Sequence, residues 1–298
     1  KAMLLIIGSN GQLGWELVRQ AREEGIDAHA LDYPDIDLGD PGSIVARLSP
    51  LHFDAIVNAA AYTAVDRAES EPDLAMAINR DGPSRLSLIC RERNVPLIHI
   101  STDYVFDGSK SGAYTEEDPV SPLGAYGRSK AAGESVVREK LSEHLILRTA
   151  WLCGVHGQNF VKTMLKLGRE RDALRVVADQ HGCPTFASDL ARAVLQIYAG
   201  HREGRPVEWG TYHYCGNGAT TWHAFAERMF EIARGYETLK VKEVVPIATY
   251  EYPTPARRPA NSVLDCSKIE RRLGILPRPW SESLQEMLDR LYRTPARS

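Results

Sequence analysis

The chain has 298 residues, 43% hydrophobic and 25% charged, with a formal net charge of -3. This is a soluble globular composition, long enough for one large core or for two domains sharing a cleft. Arg and Lys are scattered and no apolar run approaches the ~18 residues of a membrane span, so neither nucleic acid nor a membrane is expected as a partner.

Met3-Leu-Leu-Ile-Ile7 is a continuous apolar run and reads as a first strand. It leads into Gly8-Ser-Asn10-Gly11-Gln12-Leu13-Gly14, and Leu13, Leu17 and Ala21 then recur at helical spacing. Strand, glycine turn and helix in that order suit a dinucleotide. The glycines let backbone approach a pyrophosphate, and the helix N-terminus offers free N–H groups and the positive end of its dipole. A second strand, Asp27 to Leu31, ends at Asp32. A carboxylate there is placed to accept the adenosine ribose hydroxyls; with no Arg directly after it, it favours NADH over NADPH. The alternative is a turn-former before Tyr33-Pro34. Asp37 and Leu38 are placed to flank the adenine.

Ala55-Ile-Val-Asn58 is a third strand. Ala59, Ala60 and Ala61 after it are small enough for a cofactor to lie across the strand end, or simply to pack. Glu71 to Arg93 reads as one helix with Leu74, Ile78, Leu86 and Ile89 on its apolar side, and Asn79 is placed to bond back to the active-site strand. Val95 to Ile100 is the next buried strand, and its end carries Ser101, Thr102, Asp103 and Tyr104. A loop with Pro119, Pro122 and Gly124 follows, then Tyr126-Gly-Arg-Ser-Lys130. Four residues apart on a helix, phenol and ammonium share a face. A fixed positive charge favours phenolate over a free phenol of pKa about 10, making a better proton shuttle. Tyr236-Glu-Thr-Leu-Lys240 repeats the spacing without strand-end hydroxyls upstream, and is expected on a surface helix.

Leu145 to Thr149 is a further strand, and Trp151 just beyond it is either a wall for a sugar or a core aromatic. Gly157-Gln-Asn159-Phe160 begins a helix whose N-terminus suits a diphosphate. Leu174 to Val177 and Tyr212 to Cys215 read as strands, Ser188 to Tyr198 as a helix, Thr221 as a helix cap, and Pro277 to Tyr292 as ending in a helix. The expected fold is α/β: a Rossmann-type doubly wound parallel sheet over residues 1–150, binding NAD(P), with a smaller C-terminal substrate-binding domain over 151–298. Some later elements are expected to return to the sheet. Cys90, Cys153, Cys183, Cys215 and Cys266 are widely spread, with no Cys-x-x-Cys, and read as reduced thiols of a cytoplasmic protein. No His or Cys cluster suggests a metal.

The Gly loop 8–14, Asn58 to Ala61, Ser101-Thr102 and Tyr126-x-x-x-Lys130 stand in the order and spacing of the extended short-chain dehydrogenase/reductases, which this chain resembles. Four longer motifs narrow the resemblance: Ala61 to Ser70, Ser101 to Gly108, Gln180 to Thr185 and Pro253-Thr-Pro-Ala-Arg-Arg258-Pro259. They are similar to the branch of that family that reduces the C4 ketone of a dTDP-linked 4-dehydro-6-deoxy sugar, the last step of dTDP-L-rhamnose synthesis. The resemblance implies that Tyr126 donates a proton, Lys130 holds the nicotinamide ribose and Thr102 bonds the ketone oxygen. It places Thr63, Val65, Asp103, Tyr104, Trp151, Asn159 and Arg258 around the dTDP-sugar substrate. Many members use NADPH, so NADPH or NADH is the expected cofactor, and a homodimer is allowed. Magnesium is associated with the branch through interface glutamates. Only Glu16 matches one here, with Ser188 and Arg290 at the other two positions, so no magnesium bridge is expected.

Two rival enzymes lack a needed residue. A 4,6-dehydratase requires Glu after the strand-end Asp, where Tyr104 stands, and an epimerase-reductase of the GDP-fucose type requires a Cys absent from 101–107. A non-catalytic regulator like that of methionine adenosyltransferase shares the pattern, since a fold does not fix a function.

Overall fold

The computed structural model describes residues 2–294. Five short runs become parallel strands: β1 (Leu4–Ile7), β2 (Ala28–Leu31), β3 (Ala55–Asn58), β4 (Leu97–Thr102) and β5 (His144–Thr149). A sixth strand, Gly210–His213, pairs with β5, so the sheet order is Gly210–His213, β5, β4, β3, β1, β2. Parallel strands require crossovers that cover both faces, which is why β1 is an unbroken apolar run, β3 is apolar up to Asn58, and both are buried throughout.

Successive side chains of a strand point to opposite faces, and each face has its own core. On one, Leu4, Ile6 and Leu147 meet Leu13 and Leu17 of helix α1 (Gln12–Glu23) and Leu190, Val194 and Tyr198 of the helix Ala187–Arg202. On the other, Leu5, Ile7 and Ile146 meet Ile44, Leu86 and Val137 from the helices Pro41–Leu48, Gly82–Arg93 and Ala125–Lys140. The helix Ala187–Arg202 and the strand Gly210–His213 therefore belong to the sheet layers although they come late in the chain. Other later elements pack among themselves. Val161, Phe225, Met229 and Leu284 join the helices Phe160–Glu170, Trp222–Ala233 and Trp280–Arg293. Ala173–Val177 and Glu243–Ile247 form a separate parallel pair.

From β1 the chain builds outward to β2 on one side, and from β3 through β4 and β5 on the other. The loops leaving the carboxyl ends of β1 and β3 diverge there, and such a switch point is where open parallel sheets hold ligands.

Segment 71–93 departs from a single regular helix. Pro72–Met76 and Gly82–Arg93 are α-helical, and Ala77–Asp81 between them is a π-helical turn. The wider turn breaks the 3.6-residue repeat, so Leu74 is 46% exposed while Asn79 is buried. Asn79 donates to Ser129 Oγ (2.9 Å) and the Tyr62 carbonyl (3.0 Å) and accepts the Tyr62 N–H (2.9 Å). It ties the loop after β3 to the helix Ala125–Lys140, not to a strand. Tyr236 lies in the turn after Trp222–Ala233, not on a helix, with its hydroxyl donating to Asp289 (3.0 Å). Thr221 caps that helix by accepting the Ala224 N–H at 3.1 Å. Among the described residues no helix is long and apolar enough to cross a membrane.

Candidate active site

A cleft of about 560 Å³ opens at the carboxyl ends of β1, β3, β4 and β5. Gly8, at φ +89°, ends β1; a Cβ there would lie 2.6 Å from the Ala60 nitrogen, so its bareness lets two loops touch. Gly14 is packed the same way, with its Cβ position 1.9 Å from the Gly8 carbonyl oxygen. Gly11 differs: it is exposed, and a Cβ would meet nothing nearer than 3.5 Å. The space above it is left for a ligand rather than filled by protein. α1 begins at this point with no side-chain cap, so its first N–H groups remain available to a pyrophosphate. Asn10, Gln12, Leu13, Asp32, Ala59, Ala60 and Ala61 line the same end. Asp32 accepts the Asn10 N–H at 2.6 Å and the Tyr33 N–H at 2.7 Å, which fixes its carboxylate at the lip of the turn.

Asp37 and Leu38 do not line the cleft. The Asp37 carboxylate accepts the Gly39 N–H at 2.9 Å, and Leu38 is buried with Ile44 and Leu86. The chain turns inward there and docks on Gly82, whose Cβ position lies 2.8 Å from the Leu38 carbonyl oxygen. The Leu38 side chain is thus core rather than a flank for adenine.

Tyr126 stands in the first turn of Ala125–Lys140 and Lys130 one turn later, and both line the cleft with Thr102. The Thr102 hydroxyl lies close enough to the Tyr126 phenol to pull its pKa down. It also accepts the Tyr104 N–H (3.1 Å), capping the short turn Asp103–Val105, and donates to Asp103 Oδ1 (3.2 Å). The Tyr104 ring meets Tyr126 edge-on with centroids 5.4 Å apart. Burial pushes the Tyr126 phenol up to about 12, against the pull of the Thr102 hydroxyl. Desolvation pushes Lys130 down to about 8, and its ammonium donates to the Ile100 carbonyl at 2.7 Å. Sequence spacing had suggested that Lys130 would draw the phenol toward phenolate. Burial prevails instead, because the ammonium is turned to the backbone of β4. The phenol keeps its proton at neutral pH, the state a proton donor needs. Asp103 is buried beside them and pushed up to about 6 by desolvation, with bonds from Ser262 and Thr102 opposing.

Thr63, Val65, Asp103, Tyr104 and Trp151 also line the cleft. Trp151 has φ +51° and stacks on Trp222 at 3.6 Å, so it is a packed aromatic and a cleft wall at once. Asn159 is not in the lining. Its Oδ1 caps Phe160–Glu170 by accepting the Lys162 N–H (3.1 Å), and its amide donates to the Gly154 carbonyl (2.8 Å) and to Gln12 Oε1 (3.1 Å). An Asn just before a helix is a favoured cap, and that use consumes this side chain. Gly157 and Gln158 line the cleft in its place. Nearby, His156 stacks on Trp15 (5.1 Å) and reaches the Asn10 carbonyl at 2.8 Å. Arg258 stands behind the lining, bonded to Asp66 Oδ2 at 3.0 Å and close enough to Tyr104 to act on its phenol.

Two features escaped the sequence reading. Thr149 ends β5 opposite Thr102 in the ladder, and its buried hydroxyl, at the cleft, has no partner among the described residues. Ser101 donates to Glu134 at 2.5 Å, and Arg148 grips both carboxylate oxygens of Glu134 at 2.7 and 2.9 Å. An Arg inside an otherwise apolar strand was the available signal, since such a charge requires a partner. Glu16 is buried and paired with Arg290 and Arg19, both at 2.8 Å, and Gln20 beside it donates to the Ser188 carbonyl at 2.8 Å. Of the three positions considered for magnesium, Arg290 meets Glu16 directly and Ser188 is linked to it only through Gln20. Among the described residues no cluster of three or more His, Cys, Asp or Glu suits a metal ion.

The RmlD substrate binding domain family model matches residues 2–293. A dTDP-4-dehydrorhamnose reductase of Sinorhizobium fredii is 44% identical over 96% of each chain. A solved dTDP-4-dehydrorhamnose reductase from Clostridium acetobutylicum superposes with TM-score 0.90 at 39% identity, covering 97% of this chain and 99% of that one. Its counterpart from Bacillus anthracis, in complex with NADP, gives TM-score 0.89 at 36% identity, with 97% and 99% covered.

Proposed function

The chain belongs to the RmlD substrate binding domain family, and from that premise we infer that it reduces the C4 ketone of dTDP-4-dehydro-6-deoxy-L-mannose to give dTDP-L-rhamnose. NADPH or NADH is the reductant. The observation that carries this reading is the meeting of Thr102, Tyr126 and Lys130 in one cleft with the glycine turn.

The cofactor supplies a hydride when bound. The residues present fit it: Gly11 leaves space, the start of α1 leaves N–H donors, and Thr149 offers an unpartnered hydroxyl at the cleft. Tyr126 gives its proton to the ketone oxygen as that oxygen gains negative charge, and Thr102 turns its one hydroxyl proton from Asp103 to the same oxygen. An ammonium has three donors; Lys130 spends one on Ile100, and the other two would hold the nicotinamide ribose. Thr63, Val65, Asp103, Tyr104 and Trp151 hold the sugar nucleotide, covered by elements of 151–298. We place the protein in the cytoplasm. Steady-state cofactor oxidation with the enzymatically prepared ketosugar nucleotide tests the whole reading, and absence of turnover removes it.

Lys130 gives a pH dependence. Its ammonium form is retained below about 8 and lost above. For the reduced cofactor, kcat/KM should therefore fall with rising pH beyond that point, by about tenfold per unit for one proton. Lys130→Arg, whose guanidinium does not titrate in this range, should have no such limb, whatever its absolute rate. The same limb in the variant would assign it to another group.

Asp32 sets the cofactor choice. Its fixed carboxylate accepts ribose hydroxyls and repels a 2'-phosphate, so NADH should serve at least as well as NADPH. Asp32→Ala should move the ratio of kcat/KM values toward NADPH. A wild-type ratio strongly favouring NADPH would defeat the assignment.

Arg258 is assigned to the substrate diphosphate. Asp66 holds it near Tyr104, and Pro259 behind it limits its backbone, so little ordering is required on binding. Arg258→Ala should raise KM for the sugar nucleotide by about 10- to 100-fold, the loss of a charge-assisted bond of about 1.5–3 kcal/mol. Binding of NADH should be unchanged. An unaltered KM would remove this role alone.

A further inference from the structure

Three of the five free cysteines are neighbours, which their spacing in the sequence does not foretell. The sulfurs of Cys215 and Cys266 lie 3.6 Å apart, and Cys183 is near enough to Cys215 to act on its thiol. All three line a second cavity of about 370 Å³, none of whose lining residues borders the reductase cleft. Cys266 is partly exposed, whereas Cys183 and Cys215 are buried. The Cys215 amide N–H points at the Cys266 sulfur at 3.3 Å, and Cys215 Sγ faces the Leu264 carbonyl at 3.6 Å. Cys183 and Cys266, together with burial, hold the Cys215 thiol well above its ordinary pKa. Cys90 and Cys153 differ: each is buried, and its sulfur meets only backbone carbonyl oxygens, with no other sulfur beside it among the described residues.

We propose that Cys215 and Cys266 form a site of reversible oxidation by hydrogen peroxide and other small hydroperoxides, with Cys266 reacting first and Cys215 closing a disulfide. Cys266 is the sulfur that a solute in the cavity reaches from outside. Its thiolate attacks a peroxide oxygen; the S–O bond forms, the O–O bond breaks, and hydroxide leaves and is protonated to water. The Cys215 sulfur then attacks the sulfenic sulfur. The S–S bond forms, the S–O bond breaks, and the departing hydroxide takes the Cys215 proton. Two thiols lose two electrons and two protons, and the peroxide becomes two waters. A disulfide needs about 2.05 Å between sulfurs, so the pair must close from 3.6 Å by roughly 1.5 Å, and the cavity beside it leaves room for that shift.

The test is made on the intact protein with hydrogen peroxide at low molar excess. Titratable thiols after denaturation should fall from five to three, and return to five after dithiothreitol. Peptide mapping should find Cys215 joined to Cys266, with Cys90 and Cys153 unmodified. In Cys215→Ser, dimedone should label Cys266, because the sulfenic acid has lost its resolving partner. A bond between Cys183 and Cys215, a Cys266 sulfinic acid without a cross-link in the wild type, or an unchanged thiol count would overturn the proposal. So would a Cys215→Ser protein that dimedone does not label at Cys266.

Discussion

Tyr126→Phe is expected to lower kcat by about 10²-fold or more while leaving cofactor affinity close to that of the wild type. The substitution deletes one oxygen. The ring and its edge contact with Tyr104 remain, and the glycine turn and Asp32 lie on other elements. What is lost is the proton that burial keeps on the phenol, with its pKa near 12, until an alkoxide draws it off. Thr102 keeps its bonds to Asp103 and the Tyr104 amide, so the turn it caps should persist. Single-turnover measurements with saturating reduced cofactor isolate the chemical step. Tyr236→Phe is the matched control, since that hydroxyl sits in an outer turn against Asp289. Similar losses from both substitutions would show that the proton donor has been misassigned.

Arg148→Met should act on stability instead. Arg148 is 2% exposed and Glu134 is fully buried, and removing one partner of such a pair costs about 3–5 kcal/mol because the other charge is left behind. At about 2–4 °C per kcal/mol for a large domain, Tm should drop by roughly 10 °C. Burial alone would raise the Glu134 carboxyl, but Arg148, Ser101 and Arg138 hold it below its ordinary value. A depressed carboxyl contributes stability above its unfolded pKa, and that contribution is lost as pH falls through the folded one. The gap between wild type and variant should therefore narrow in acid. Arg148→Met combined with Glu134→Leu should be more stable than the single variant, since no charge is stranded. A single-variant Tm within two degrees of wild type would mean that Arg138 and Ser101 suffice for Glu134.

The strands and glycine turn were legible because parallel strands covered on both faces must be continuously apolar, and few backbones other than a glycine turn follow β1 so closely. Thr102, Tyr126 and Lys130 were legible because strand ends and helix faces have fixed addresses. The electrostatics were not. Residue spacing puts Lys130 near Tyr126 but cannot say that its ammonium donates to the Ile100 carbonyl, nor how much water is excluded around the phenol. Asn159 and Leu38 lie outside the cleft lining for a related reason. Each sits at an element boundary, where a capping bond or a turn of the chain decides between cleft and interior, and neither leaves a periodic trace. The π turn at Ala77–Asp81 is the same problem in a helix: one widened turn moved Leu74 to the surface.

The bonds that Asn159 and His156 make across to Gln12 and Asn10 bear on traffic through the cleft. They rivet the two halves of the chain at the dinucleotide end. Arg258, by contrast, is joined to Asp66 by a partly exposed ion pair that solvent can replace. On the assignments proposed above, the sugar nucleotide is expected to exchange by displacing the Arg258–Asp66 pair, and the dinucleotide only by undoing the bridge at the glycine turn.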